Sequence, residues 1–578
     1  MFSVLGKLGW FFKENWIRYS IAVGLLLIAN VMEVVPPWLI GAAIDAIAQG
    51  ELTQGLLWEY IGLLTLVLVL AYVTNFVWQH QLFGGAFVIE RKLRTNLMKQ
   101  FLRMSPGFYE RNRTGDLMAR ATNDLRAVSE TAGFGILTLV DSTLFMGTLI
   151  VAMGIVVSWK LTLAALLPLP VLAVIMQILG KKIHERYTVA QDAFGELNDS
   201  VLESVSGVRV VRAYVQERKS ESDFAEMTED VFKKNMAVER IDALFMPIMR
   251  VLTSVSYLIG LGYGAFLVAQ GAISLGDLVT FNVYLGMIVW PMFAIGELIN
   301  IMQRGNASLD RVTETLDSKE DVKDPERPKE IGKPEKMGFT DVRFTYPTSS
   351  SINLQGINLS LNSGQTLGIV GKTGSGKTTF IKQLLREYPL GEGSISFNGT
   401  DLGELSKGLL RDWIGYVPQD HVLFSRSIRA NILFGKPDAT DEEIQEAIRL
   451  ANFEQDLQNL PEGLDTLVGE KGVALSGGQK QRISIARALI KDPEILILDD
   501  SLSAVDAKTE AKIIENIQRE RAGKTTIITT HRLSAVQHAD WIAVMDDGKV
   551  IEEGTHEQLV GYGGWYYEQY LRQRIEEV

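Results

Sequence analysis

Gly371-Lys372-Thr373-Gly374-Ser375-Gly376-Lys377-Thr378, with Thr379 directly after it, is the stretch that decides how this chain reads. An apolar run, Leu367-Gly368-Ile369-Val370, precedes it, and a helix-like pattern of Phe380, Ile381, Leu384 and Leu385 follows. Strand, glycine loop and helix form the context that a phosphate-binding loop requires. The glycines let backbone N–H groups curl around an anion without Cβ clashes, and the helix N-terminus adds the positive end of a dipole. Lys377 is placed to reach the β- and γ-phosphates, and the Thr378 hydroxyl to hold Mg2+. The stretch therefore predicts binding of a nucleoside triphosphate and leaves open what its hydrolysis drives.

Outward from this loop, the chain divides by composition. It has 578 residues, 47% hydrophobic and yet 22% charged, which suggests an apolar half joined to a soluble half. A net charge of −12 argues against a nucleic-acid partner, since a phosphate backbone needs a basic surface. Without cysteine, thiol catalysis, disulfides and cysteine-rich zinc sites are excluded, and the six histidines lack metal-ligand spacing.

Before the loop lie apolar segments at Ser20–Ala48, Leu56–Trp78, Gly133–Val157, Leu161–Gly180, Leu244–Ala269 and Leu278–Ile301. Each is about 20 residues or longer, enough for a ~30 Å hydrocarbon core. Six spans across a lipid bilayer are expected, the third and fourth separated only by Ser158-Trp159-Lys160. Residues 79–132 and 181–243 are rich in Lys and Arg, among them Arg91, Lys92, Arg111, Arg120, Lys181, Arg209 and Lys233, whereas the alternate loops carry only Lys160. The positive-inside rule puts both long loops, both termini and the second half of the chain in the cytoplasm of a multi-pass plasma-membrane protein. Met1 to Tyr19, with Lys7, Lys13 and Arg18 among Phe11, Phe12 and Trp16, reads as an amphipathic helix along the inner membrane surface.

Folded as helical hairpins, the long loops have arms of roughly 25 residues that project about 38 Å below the membrane. Their tips, near Arg113-Thr114-Gly115-Asp116 and Ala213-Tyr214-Val215-Gln216-Glu217, are placed to touch another domain. Asp317 to Lys336, charged and carrying Pro325, Pro328 and Pro334, reads as a linker. The expected fold is a membrane α-helical bundle of six spans with long cytoplasmic helical extensions over 1–316, a linker over 317–336, and an α/β P-loop ATPase domain over 337–578.

Further motifs follow in order in the second half. Tyr346 lies before Pro347, and Gln419 follows the strand-like Ile414-Gly415-Tyr416-Val417. Leu475-Ser476-Gly477-Gly478-Gln479 opens a helical run and makes a second glycine nest at a helix start. Ile495-Leu496-Ile497-Leu498-Asp499 is a buried-strand run ending in an acid, the position from which a carboxylate supports Mg2+. The ordered set resembles the ATP-binding-cassette superfamily. Gly371–Thr378 looks like its Walker A, Gln419 its Q-loop, Leu475–Gln479 its signature motif and Ile495–Asp499 its Walker B. Ser503-Ala504-Val505-Asp506 resembles the D-loop, His531 the switch histidine, and Glu470 the X-loop of exporters. With six preceding spans, the resemblance covers nearly the whole chain and points to the type IV exporter fold, closest to one half of a heterodimeric bacterial multidrug exporter.

The resemblance implies roles. Tyr346 stacks on adenine, the loop holds the phosphates, and Thr378, Gln419 and Asp499 serve Mg2+. Ser476, Gly477, Gly478 and Gln479 act on ATP bound to a second chain, so two ATP molecules join two such domains head to tail. One position departs from the pattern. The family's Walker B aspartate is followed by a glutamate that acts on the attacking water; here Asp500 follows Asp499. Its carboxylate retreats by roughly 1 to 1.5 Å, and a displacement of ~1 Å can cost on the order of 10²-fold. Asp500 is then either a slow base in a homodimer or the impaired site of a heterodimer whose non-identical partner carries the glutamate.

Glu33, Asp141 and Glu297 lie within the spans with Tyr257, Trp290 and Phe293, a set suited to lipophilic cations through charge and cation–π attraction. Export of amphipathic drugs is the reading these residues favour. A lipid or lipopeptide flippase and a non-transporting ATP-dependent membrane regulator are the alternatives.

Overall fold

The computed structural model describes residues 3–469 and 473–576, and Glu470, the expected X-loop acid, lies outside them. The chain divides into two compact units, one of Met1–Gln100 with Gly115–Asp317 and one of Phe101–Thr114 with Ser318–Val578.

The first unit is helical. Among the described residues, five helical stretches are long and apolar enough to cross a membrane: Trp16–Ala48, Gln54–Arg103, Thr114–Ser206, Glu217–Ala269 and Leu275–Leu316. The third is 93 residues long and contains two of the six expected spans, one on either side of Ser158, whose backbone is extended (φ −169°, ψ 127°). Gly154 makes that turn possible, because a Cβ there would sit 2.4 Å from the Trp159 ring. Helices run well past the apolar segments: Gln54–Arg103 has 50 residues, about 75 Å at 1.5 Å each, against a ~30 Å hydrocarbon core.

Small residues and hydroxyls hold these helices together, as lipid-facing bundles require. A Cβ on Gly276 would come 2.0 Å from the Gly41 carbonyl, so the helices bearing them meet backbone to backbone. Asp45 accepts from the Ser274 hydroxyl at 2.5 Å and from Gly276 N–H at 2.7 Å. Pro36 and Pro37 interrupt the Trp16–Ala48 ladder, and Thr280 and Tyr284 donate to the carbonyls of Pro37 and Val34 in that turn. Phe145, Leu149, Leu161, Phe281 and Tyr284 fill the core beside them.

The N-terminal segment buries one face within its unit and leaves Trp10, Trp16 and Ile17 exposed. Short helices Ser3–Lys7 and Gly9–Glu14 bury Val4, Leu8 and Phe11 within the unit, while Lys7 pairs with Asp310 at 2.5 Å and Lys92 with Glu14 at 2.5 Å. Val4, Leu8 and Phe11 are thus covered by protein.

The second unit is α/β. Strands β1 (Lys336–Phe344), β2 (Leu354–Asn362), β4 (Glu392–Phe397) and β5 (Thr400–Asp401) form an antiparallel sheet ordered β2-β1-β4-β5. Strands β3 (Thr366–Gly371), β6 (Ile414–Val417), β7 (Ile495–Asp499), β8 (Thr525–Thr530), β9 (Trp541–Asp546) and β10 (Lys549–Gly554) form the other, ordered β10-β9-β3-β8-β7-β6. All its members but the edge strand β10 are parallel, and β3, β7 and β8 are near-continuous apolar or threonine runs because helices cover both faces. Register sets Asp499 opposite Thr529 and Val370 opposite Thr530, so the carboxyl ends of β7, β8 and β3 come together. Ligands bind at that end of a parallel sheet.

One segment joins this unit from far along the sequence. Residues 101–114, the tip of the first long loop, pack within it. Ser105 and Arg111 both donate to Asp321, at 3.1 and 3.0 Å, and the Tyr388 hydroxyl donates to Glu110. The second tip stays in the first unit, where Tyr214 and Val215 are 72% and 79% exposed. Val215 sits at φ +53°, a left-handed backbone that a β-branched residue adopts only under strain.

Candidate functional site

The glycine loop has the backbone its sequence demands. Gly371 lies at φ +153°, and a Cβ there would be 2.1 Å from the Met545 carbonyl. Gly376 is left-handed (φ +101°) and starts the helix Lys377–Leu384, with the Asn353 carbonyl 2.9 Å from where a Cβ would be. No L side chain fits at either position. Lys372, Thr373 and Gly374 are exposed at the tip, while Ser375 is buried and its carbonyl accepts from Gly548 N–H at 3.0 Å. Lys377 Nζ donates to the carbonyls of Gly371 and Lys372, each at 2.9 Å, so the ammonium points into the loop it would serve. Burial lowers its pKa from the ordinary lysine range, with Asp500 and Asp499 pulling it back.

Asp499 ends β7 fully buried. Oδ1 accepts from Thr378 Oγ1 at 3.1 Å and Thr529 Oγ1 at 2.5 Å, and Oδ2 accepts from the Tyr416 hydroxyl at 3.4 Å. Burial pushes this carboxyl above the usual carboxylate range, and the three hydroxyl donors oppose that shift. A carboxylate held beside a threonine hydroxyl at a phosphate loop is a set of hard oxygen donors, which suits Mg2+. Gln419 does not join this network. It is exposed in the bend after β6, and the bonds to Asp499 come from Thr378, Thr529 and Tyr416.

Asp500 is held by its backbone first. Its N–H donates to the Thr529 carbonyl at 2.9 Å and lies 3.1 Å from Thr529 Oγ1. The residue is left-handed (φ +46°), a conformation aspartate tolerates better than most. Its Oδ1 meets His531 Nδ1 at 3.1 Å, so the acid and the switch-type histidine are in direct contact. His531 stays half exposed, and Gln573 donates to its carbonyl at 2.9 Å.

Tyr346 is half-buried, its hydroxyl donating to Thr379 Oγ1 at 3.1 Å. Edge contacts to Phe344 and Tyr388, with centroids 5.0 and 4.9 Å away, fix its ring, and Lys382 Nζ lies 5.7 Å from the centroids of both tyrosines. The path from Tyr346 through Tyr388 to Glu110 therefore runs from the aromatic beside the phosphate loop to the loop tip at 101–114.

The signature-like stretch caps a helix. Ser476 Oγ accepts from Gln479 N–H at 3.2 Å and Gln479 Oε1 from Ser476 N–H at 2.9 Å, a reciprocal capping box for Gly477–Leu489. Gly478 lies against the Ala504 carbonyl, 3.0 Å from where a Cβ would sit, and Gln481 accepts from Ala504 N–H at 3.2 Å. Ser503–Asp506 is further tied by Arg532, which donates to the carbonyls of Ser503 and Val505 and to Glu510. Two clefts, of about 220 and 370 Å3, lie elsewhere in this unit, and no residue of 371–379 lines either.

In the membrane unit, Trp290 Nε1 donates to Asp141 Oδ2 at 3.1 Å. Asp141 opens a π-helical turn, Asp141–Phe145, a local form frequent at functional positions. Trp290, Phe293 and Glu297 share one face of the helix Val289–Leu316 at i, i+3, i+7 spacing and are exposed, as is Glu33. The Tyr257 hydroxyl lies against Gly286.

Thr529, Tyr416, Tyr388, Lys382 and Arg532 were not singled out from sequence. A threonine-rich run fully buried in a strand, as in Thr525–Thr530, is the one local signal that could have found Thr529.

Comparison with known proteins agrees with this arrangement. Residues 19–292 match the ABC transporter transmembrane region and residues 354–503 the ABC transporter family. The chain is 63% identical over 576 residues to a Bacillus subtilis (strain 168) protein described as the probable multidrug resistance ABC transporter ATP-binding/permease protein YheI, covering 100% of this chain and 98% of that one. It is 42% identical over 576 residues to the Escherichia coli (strain K12) multidrug resistance-like ATP-binding protein MdlA, covering 99% and 97%. Among solved structures, a bacterial Atm1-family ABC exporter with ATP bound superposes with a TM-score of 0.77 at 26% identity, over 96% of this chain and 99% of that one.

Proposed function

Since the chain belongs to the ATP-binding-cassette transporters, as a half-transporter of the type IV exporter fold with one membrane region and one cytoplasmic ATPase domain, we propose that it exports amphipathic, cationic drugs across the plasma membrane with both termini inside. We infer further that it works as one half of a heterodimer, with its own ATP site impaired. The relatives named for multidrug resistance support the substrate class. Asp500 is the observation that carries the impaired-site reading, with its short carboxylate at φ +46° and engaged by His531.

In this reading Tyr346 stacks on adenine while the N–H groups of 371–379 and Lys377 hold the phosphates. Thr378 and Asp499 would hold Mg2+, with the Gln419 side chain as a further oxygen donor. That ion supplies charge neutralisation on the phosphate oxygens. Asp500 orients water from too far back, and His531 holds the acid and the terminal phosphate in register. Ser476, Gly477 and Gly478 close over ATP on the partner chain, which carries the fast site. Closure then pulls on residues 101–114 through Glu110 and Asp321 and tilts the helices. Drug is held along the Trp290–Phe293–Glu297 stripe and at Glu33, with Asp141 orienting the Trp290 indole.

The test is transport by inverted vesicles that carry this chain with its native partner. ATP-dependent accumulation of a lipophilic cationic dye is expected. Accelerated lipid flipping without dye uptake would assign the chain to lipid instead, and ATP turnover without either would leave a regulator.

A further inference from the structure

The carboxyl ends of β3, β7 and β8 serve the nucleotide; the opposite end of the same sheet carries a second polar cavity. Where β3, β8 and β9 begin, a cleft of about 220 Å3 opens between the strands and the end of the helix Ala507–Glu520. The six residues of β3 separate it from the phosphate loop by about 20 Å at ~3.3 Å each. Its size is below the ~300 Å3 at which sites for drug-sized ligands begin, so it takes something smaller than a nucleotide.

Arg521 lines this cleft and is 95% buried, with only 5% of its surface exposed. Nη2 donates to the Thr525 carbonyl at 3.2 Å, and Nε–H meets no acceptor among the described residues. The acids nearest to it are occupied elsewhere. Asp492 pairs with Lys524 at 2.7 Å and Glu494 with Lys333 at 2.6 Å, and both attract Arg521 through space without a hydrogen bond to it. Asp540, on the far wall, accepts from Thr366 N–H at 2.7 Å. Burial pulls the guanidinium down to about 10, which still leaves it charged at neutral pH, and burial also lowers the pKa of His538 beside it. A buried guanidinium with one N–H lacking an acceptor is costly, and its fork is matched geometrically by two oxygens of one anion.

We propose that this cleft is a second binding site, distinct from the nucleotide site, that takes a small oxyanion of the phosphate or carboxylate class on the Arg521 fork. An anion there ties the end of the Ala507–Glu520 helix to the start of β8, the strand whose Thr529 holds Asp499 and Asp500. Occupancy thus stiffens the rear of the catalytic strands.

The experiment uses the full chain in lipid nanodiscs, with Lys377→Ala as the background so that the phosphate loop does not report. Thermal unfolding is followed against inorganic phosphate, sulfate or acetate at constant ionic strength. Saturable stabilisation is expected, and the anion that saturates at the lowest concentration identifies the class. Adding Arg521→Gln is expected to weaken binding roughly tenfold or more, as loss of charge-assisted bonds does. Equal stabilisation of the Arg521→Gln chain, or no saturation with any of the three anions, overturns the proposal. If Arg521→Gln fails to fold, equilibrium dialysis of radiolabelled phosphate against the Lys377→Ala chain decides: one site per chain supports the proposal and none refutes it.

Discussion

Asp500→Glu lengthens the carboxylate by one methylene on a backbone already pinned by two contacts to Thr529, at 2.9 and 3.1 Å. The acid therefore advances by roughly 1 to 1.5 Å along a fixed direction, and recovering ~1 Å of misplacement is worth on the order of 10²-fold in rate. That corresponds to about 2.7 kcal/mol of barrier. Some of the gain is offset, because glutamate tolerates the φ of +46° less well than aspartate, at about 1 kcal/mol. A rise of about 10- to 100-fold in phosphate release is expected from the purified chain in nanodiscs, with a slightly lower melting temperature. Asp500→Asn supplies the floor and should fall only a few-fold below the parent, since the parent acid contributes little. The reasoning is refuted if Asp500→Glu gives no gain while Asp500→Asn abolishes a rate typical of exporters; Asp500 would then be a competent base as it stands.

Other consequences are measurable in the same preparation. Tyr346→Ala should weaken binding of a fluorescent ATP analogue by about 5- to 150-fold, the equivalent of a 1–3 kcal/mol stacking contact, whereas Tyr346→Phe should stay close to the parent. Asp499 has a folded-state pKa raised by burial, so its ionised form opposes folding above that pKa. Without nucleotide or Mg2+, Asp499→Asn should melt above the parent at pH 8, with the gap closing as the pH falls through the raised pKa toward the ordinary carboxylate range. The same variant should lose the MgATP-induced rise in melting temperature. Tyr388→Phe removes the bond to Glu110 and should leave basal ATP turnover intact while reducing its stimulation by drug. Glu297→Gln should lower transport of cationic dyes and spare neutral ones; unchanged uptake of every cationic dye tested would remove Glu297 from the drug path.

Much of this architecture was legible in the sequence because its signals are local. Gly371 and Gly376 occupy backbone positions that only glycine satisfies, and the apolar runs before Asp499 and before the loop became β7 and β3. The capping box at Ser476 and Gln479 is likewise a contact between residues three apart. What remained hidden depends on partners distant in the chain. Thr529 and Tyr416 meet Asp499 only because parallel register brings three strand ends together, which no spacing announces. The stripe of Val4, Leu8 and Phe11 has the same period whether it faces lipid or protein, and only packing decides between them. The reach of the first long loop announced a contact with another domain but not its partners, since the contacts of Glu110 with Tyr388 and of Arg111 with Asp321 span more than 200 positions. Arg521, alone in sequence among many surface arginines, is informative only through its burial.

The unequal-site reading is tested most directly by a single turnover of the native assembly. The chain is co-purified with whatever partner it has in its own membrane, loaded with limiting radiolabelled ATP, and quenched over time. Two populations of bound ATP in equal amounts are predicted, one hydrolysed rapidly and one retained, with the retained molecule cross-linking to this chain's Tyr346. A single phase consuming all bound ATP, from an assembly holding two copies of this chain and no other subunit, would contradict it.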